Sequence, residues 1–525
     1  MDDPVHLAIA EHILRDPLHP MRAEVFWGAA PAPAHELNQP HLLFYVFAGL
    51  LALGASIGGL QLLISALSLL ALTATYRLVR DATGRAGDGL FAAAALGLGP
   101  ALAPSQNLMT DVPLLALSTV ALAALAASPT DRRGPSGALL GASALALACL
   151  VKYTALVLLP ILAWWLWRHR REARCALAIP LAALVAWSLF NLWDYGDVHL
   201  LGRRIAVRED APDALSIVGL TVGRAALWVL TLGAIAPLSL AFAHRAAARF
   251  GGRRLLVGAA LGLPLLTAGG QLVAAIGPEV LRGEPLALSF SRGLFFLNGA
   301  LVLALAASAA RRGWATPSTR LFAGWALATA LFVVVLSPFV AVRHVLLVLP
   351  PLLALLLADP DEPPRAPAAI AALALSLALG LGVGVADHRL AGAYRALPER
   401  LEGELAPADR VLYVGHWGFQ HYAAEAGWEP YVPGRTALGR GDVLVRPRNV
   451  DQPSFTPADA ARLRLRRAVV LDATPLELLR TMTSRLGYYS VWHGLPFTPT
   501  LEPLDHVELY DVVEATVSST SPPRR

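Results

Sequence analysis

An α-helical polytopic membrane protein of about 12 transmembrane helices, carrying a small C-terminal α/β domain, is what this sequence predicts. Three observations lead there. The chain of 525 residues is 56% hydrophobic and only 15% charged, with a mean hydropathy of +0.54, where a soluble domain carries about 25% charged residues. Its apolar residues fall in successive runs of membrane-spanning length. After residue 386 the composition changes and short strand-like runs begin. The net charge of +5 comes from basic residues in loops between apolar runs, so no nucleic-acid partner is implied.

The apolar runs are 42–56 leading into 59–79, then 88–104, 112–127, 137–151, 154–167, 174–193, 214–243, 255–276, 290–309, 319–338, 344–358 and 367–386. If 42–56 is half-buried and 59–79 crosses, the loops between runs alternate in charge. One set holds Arg77, Arg80 and Arg85, Arg132 and Arg133, Arg168 to Arg174, Arg245 to Arg254, Arg311 to Arg320, and Arg365. The positive-inside rule makes that set cytoplasmic. The opening stretch, the 105–111 turn, the turn at Lys152, the 194–213 and 277–289 loops, the Arg343 turn and the C-terminal region then share the outer face. Cys149 and Cys175 fall near opposite faces, so no disulfide is expected. Residues 1–40 lack the basic and apolar segments of a cleavable signal peptide.

The expected organisation is an outer loop that does chemistry over 1–41, a multi-span domain over 42–386, an extracytoplasmic α/β domain over 387–517 and a disordered tail over 518–525. Within the α/β domain, 410–415 (RVLYVG), 442–445 (DVLV), 468–472 (AVVLD) and 506–510 (HVELY) read as strands. Residues 418–426 and 475–486 read as helices.

Several polar stretches can carry chemistry. The acidic pair Asp2 and Asp3 can act as a general base or hold a divalent metal ion, or can be a solvated terminus. Asn38 and His41 flank a turn into an apolar helix. Five of the fourteen histidines lie in the first 41 residues, with no i,i+4 pair of the kind that favours zinc. Asp111 opens an apolar helix just before Pro113, where an acid can cap the helix or serve a site, since acids at membrane depth are costly. Lys152, followed by Tyr153, is the one lysine in a chain that otherwise uses arginine. Its ammonium can hold a lipid phosphate or simply reach the interface. Arg343 and His344 sit in a turn on the face where arginine is disfavoured. His416 lies in a His-Trp-Gly-Phe-Gln-His-Tyr stretch suited to sugars or to packing.

Taken in order, these stretches resemble bacterial membrane glycosyltransferases of the C-type fold, in the protein mannosyltransferase and aminoarabinose transferase group related to glycosyltransferase family 39. The acidic pair with the following helical run to Leu14, the turn at Asn38-Gln39-Pro40-His41, Leu108 to Pro113, Lys152 to Leu156 and Arg343 to Leu347 carry the likeness. The turn is a partial match to the family's Asn-Pro-Pro-Leu, and the family's first span has no counterpart before Asp2. Either the start is misassigned and a span lies upstream, or the outer loop is loose. The resemblance implies a multi-pass protein of the bacterial inner membrane with its C-terminal domain outside. It implies a sugar donor carried on a polyprenyl phosphate, and a lipid, glycan or protein acceptor whose hydroxyl receives the sugar. By the same resemblance Asp2 is the general base, Asp3 or Asp111 orients it or holds a cation, and Lys152 and Arg343 hold the leaving phosphate. Asn38, His41, Tyr153, His344 and His416 complete the substrate-binding set. A transporter or flippase of lipid-linked sugars is the rival from another class. It predicts midplane charges and paired repeats, neither of which the sequence carries. A non-catalytic scaffold is a third reading.

Overall fold

The computed structural model describes residues 3–37, 39–127, 134–202, 214–276, 285–359, 364–405, 410–483, 485–491 and 494–514. Asp2, Asn38 and the tail 518–525 lie outside the described residues. Seven of the described helices are long and apolar enough to cross a membrane. Five shorter apolar helices accompany them: Leu42–Ala52, Ala86–Gly97, Asp111–Ala126, Ser136–Val151 and Val342–Leu357. The protein is a multi-pass membrane protein, mostly helical.

Local chemistry sets where the helices begin and stop. The opening stretch is not only loop: Asp3–Arg15 is a helix with its acid in the first turn and His12 and Arg15 in the last, as the helix dipole favours. Val5, Ile9 and Ile13 recur four apart and are buried. Helix Ile57–Thr83 starts on Ser56, whose hydroxyl accepts from Gly59 N, and ends on Gly84 at φ 71°. The run at 88–104 stops being α-helical at Gly97 and turns at Ala103–Ser105. The run at 214–243 ends at Ile235, just before Pro237.

Two helices meet almost backbone to backbone. At Gly233 of Ala214–Ile235 and Gly299 of Leu286–Arg312, a Cβ on either would collide with the other's main chain. Asn298 clamps the crossing by donating to the carbonyls of Gly233 at 2.6 Å and Ala236 at 3.0 Å. Small residues at such contacts are how membrane helices pack without a hydrophobic driving force between them.

The last span departs from its expected end. The run read as 367–386 continues as one helix, Ala366–Leu405, because Leu390, Tyr394, Leu397, Leu401 and Leu405 carry a buried stripe on into the C-terminal region. There a five-stranded sheet runs in the order Glu429–Pro430, Val411–Tyr413, Val443–Pro447, Asp505–Val512, Leu463–Leu471. The first three strands are parallel and the last two add antiparallel. Helix Trp417–Glu425 packs on the long helix, with Phe419 against Tyr394 at 5.9 Å.

One expected helix is absent. Residues 475–486 form a single 3-10 turn, Pro475–Glu477, and then short extended pieces. Thr474 caps that turn with Glu477 in a capping box, but Arg480 then pairs with Thr498 in a two-stranded ladder. The segment returns to the membrane helices, where Tyr488, Tyr489, Val491 and Phe497 join their core.

Candidate active site

Asp111 is the centre. It opens helix Asp111–Ala126 and is buried. Lys152 Nζ reaches its Oδ1 at 2.6 Å. Arg343 Nε lies 3.3 Å from its Oδ2, as an ion pair without hydrogen-bond geometry. Two cations from distant parts of the chain thus meet one carboxylate at a place closed to most solvent. Side-chain exposure is 13% for Lys152 and 11% for Arg343, so both cations stand at low dielectric, where their charges act strongly on whatever lies beside them.

Backbone breaks put them there. Lys152 is extended (φ −156°, ψ 130°) between helix Gly134–Val151 and the 3-10 segment Tyr153–Leu158. Arg343 lies in the five-residue helix Val342–Leu346, its guanidinium 5.6 Å above the Phe339 ring. Nη1 donates to the Tyr489 carbonyl at 2.8 Å. His344 is buried beside it, stacked on Phe339 at 5.4 Å.

The opening helix docks on the turn that leads to Asp111. Leu108 N donates to Asp3 Oδ1 at 2.7 Å, and the Leu108 carbonyl lies 2.7 Å from His6 Nδ1. Thr110 donates to Gln39 Oε1 at 3.2 Å. Asp3 therefore sits beside the Asp111 cluster, held by a backbone amide.

Tyr153 belongs to a second chain of bonds. Trp187 Nε1 donates to its hydroxyl at 2.9 Å, and the hydroxyl lies 2.9 Å from His199 Nδ1. His199 Nε2 is 2.8 Å from the Leu37 carbonyl. A proton on Nε2 satisfies that carbonyl and leaves Nδ1 to accept from Tyr153. His41 lies near these groups, 6.1 Å from the Trp187 ring and 5.1 Å from Phe44. It is fully buried, and among the described residues neither ring nitrogen has a hydrogen-bond partner. Beside it opens an apolar cavity of about 350 Å³ lined by Leu42, Tyr45, Leu150, Ala183, Ala186, Trp187 and Phe190.

Two predicted site residues, Asp111 and His416, have surroundings that the sequence did not specify. Asp111 has its two oxygens facing Lys152 and Arg343. Among the described residues no group of three His, Cys, Asp or Glu gathers to hold a metal ion. His416 lies in the sheet domain, against Phe26 at 4.8 Å and Gln420 at 3.3 Å, and burial pushes its pKa below the usual histidine value. Its described contacts do not include Asp111, Lys152 or Arg343. The following residue, Trp417, is the one described non-glycine residue with positive φ, at 64°. Sequence reasoning also missed Trp187, His199, Asp387 and Tyr489. The signal for Asp387 was its place as the first acid after an apolar run; Tyr489 was hidden beyond a segment misread as helix.

Residues 38–193 match the family described as dolichyl-phosphate-mannose-protein mannosyltransferase. The match spans Asp111, Lys152 and the cavity, and the resemblance read from the sequence is borne out over that stretch. No curated protein matches the chain. Two solved structures are similar to it: ArnT from Cupriavidus metallidurans in the apo state, and the same protein bound to undecaprenyl phosphate. Each is 14% identical, over 97% of this chain and 93% of that one, with a TM-score of 0.36. Neither likeness is close enough to transfer a residue or a ligand.

Proposed function

We propose that this protein is a glycosyltransferase that moves a sugar from a polyprenyl-phosphate donor to an acceptor hydroxyl at the outer face of the bacterial inner membrane. The observation that carries the reading is the meeting of Lys152 and Arg343 on buried Asp111. Lys152 and Arg343 bring an ammonium and a guanidinium to one buried place, the donor types that hold phosphate oxygens, and a polyprenyl phosphate supplies such oxygens at headgroup depth. The cavity near His41 and Trp187, with Leu150 in its wall two residues before Lys152, is apolar, as an isoprenoid chain requires. The family match adds that relatives of residues 38–193 use a sugar on a lipid phosphate. No observation favours the transporter or flippase.

In the reaction the acceptor hydroxyl gives its proton to a carboxylate, for which Asp2 is our candidate, with Asp3 fixed beside it. The acceptor oxygen attacks the anomeric carbon, and the bond from that carbon to the phosphate oxygen breaks. The polyprenyl phosphate leaves with its new charge held by Lys152 and Arg343. Asp111 orients both cations before donor arrives. Asn38, His41, Tyr153 and His344 would line the sugar. The acceptor is a lipid, a glycan or a protein.

At the opposite end of the bundle, Asp359 gathers Arg245, Arg249 and Arg312, and Asp88 pairs with Arg85. We read that arginine-rich end as cytoplasmic and the five shorter helices as crossing, giving about 12 spans. The C-terminal sheet domain then lies outside.

Lys152 provides the test. A compact ammonium on a flexible stem is not replaced by a planar fork. Lys152→Arg is expected to bind a polyprenyl-phosphate donor more weakly. Lys152→Met is expected to lose nearly all transfer while staying folded. Wild-type transfer by Lys152→Met would reduce Lys152 to an interfacial anchor.

A further inference from the structure

Asp387 lies in the long helix Ala366–Leu405, where the apolar run gives way to charge. It is far in sequence from Asp111, Lys152 and Arg343, and the transfer chemistry above does not use it. Its carboxylate nevertheless leads to them. Oδ2 accepts from the Tyr489 hydroxyl at 2.9 Å, and Oδ1 accepts from Thr481 Oγ1 at 3.2 Å. The Tyr489 carbonyl receives Arg343 Nη1 at 2.8 Å. Arg343 in turn faces Asp111.

We infer that Asp387 is a positioning residue for the donor-phosphate site, acting through Tyr489 to set Arg343; the inference rests on the function proposed above for what Arg343 holds. A guanidinium on a long side chain loses much rotamer freedom when it is fixed, so its direction depends on the acceptor that meets it. Here that acceptor is a backbone carbonyl in an irregular segment, and irregular segments hold their place only through their own bonds. Residues 488–491 are tied at several points. Tyr488 OH donates to the carbonyls of Pro100 at 2.7 Å and Ala101 at 2.9 Å. Val342 N donates to Tyr488 O, and Val491 N to Val340 O. These fix the segment to its neighbours in the membrane body. The Tyr489 hydroxyl also lies 3.3 Å from the Pro104 carbonyl, but its shorter bond, to Asp387, fixes the side chain of the very residue whose carbonyl Arg343 meets. It also joins the long helix that carries the sheet domain to the transfer site, so that domain has a physical route to the chemistry.

The test is a double-mutant cycle on the full-length protein in detergent, with Asp387→Asn, Arg343→Gln and the pair. The readouts are the Kd for a short-chain polyprenyl phosphate and the thermal unfolding midpoint. Asp387→Asn alone is expected to weaken phosphate binding roughly 5–30-fold, the size of one good hydrogen bond lost. In the Arg343→Gln background it is expected to weaken binding no further. Tyr394→Phe is the control, since it removes an equivalent bond from the same helix, Tyr394 OH to Asp505 at 2.7 Å. It is expected to lower the midpoint and leave phosphate binding alone. Equal losses in both backgrounds, or an Asp387→Asn protein that binds phosphate like wild type, would overturn the inference. If wild type binds no polyprenyl phosphate, the functional reading fails, and the unfolding midpoints still decide the linkage. Non-additive shifts uphold it, and additive shifts end it.

Discussion

His41 illustrates how much a single side chain can say. Its position at a helix entry was legible in the sequence, but its surroundings were not. Among the described residues both nitrogens are buried without a partner, a state that costs about 1–3 kcal/mol. A protein keeps such a group when it gains function from it. His41→Leu should therefore raise the thermal unfolding midpoint and lower sugar transfer. A variant that unfolds earlier and transfers normally would make His41 a packing residue. Lys152 was the most legible residue, because it stands alone among arginines. What the sequence did not reveal is that Asp111 already holds its ammonium. A salt bridge between residues 41 apart depends on how helices pack, and periodicity carries no information about that. The link from Asp387 to Tyr489 was hidden for the same reason, since the two lie 102 residues apart.

Among elements, the apolar helices were the easiest to read, since a spanning run is a long and strong signal. Their ends were less so. Tertiary burial carried the helix at 366 past the change in composition to Leu405, and a capping box at Thr474 started a turn that no helix followed. The close crossing at Gly233 and Gly299 was also hidden, because glycine is common along this chain. Gly299→Leu should push those helices apart at a cost of at least about 1–3 kcal/mol, and Gly299→Ala should cost less. Purified variants that melt with wild type would show that the two helices can separate without penalty, contrary to the packing described.

For the whole molecule, the gathering of polar stretches at one end was legible through the alternation of arginine between loops. The structure brings Asp3, Asp111, Lys152, Tyr153 and Arg343 to that end and the Asp359 arginine cluster to the other. Which end faces outward is a matter of labelling. With Cys175, which is exposed, replaced by serine, a single cysteine at Ser454 should react with an impermeant reagent in intact cells, and one at Ser136 should not. The reverse pattern would invert the topology and move the site to the cytoplasmic face.

The central claim is that the donor is cleaved, and one measurement addresses it directly. Protein reconstituted in vesicles would be given a polyprenyl-phosphate sugar labelled in both halves, together with an extract of cell-envelope acceptors. Wild type should release polyprenyl phosphate in step with sugar appearing on acceptor, and Lys152→Met should release almost none. Labelled donor that crosses the bilayer intact, with no polyprenyl phosphate released, would contradict the account and identify a flippase instead.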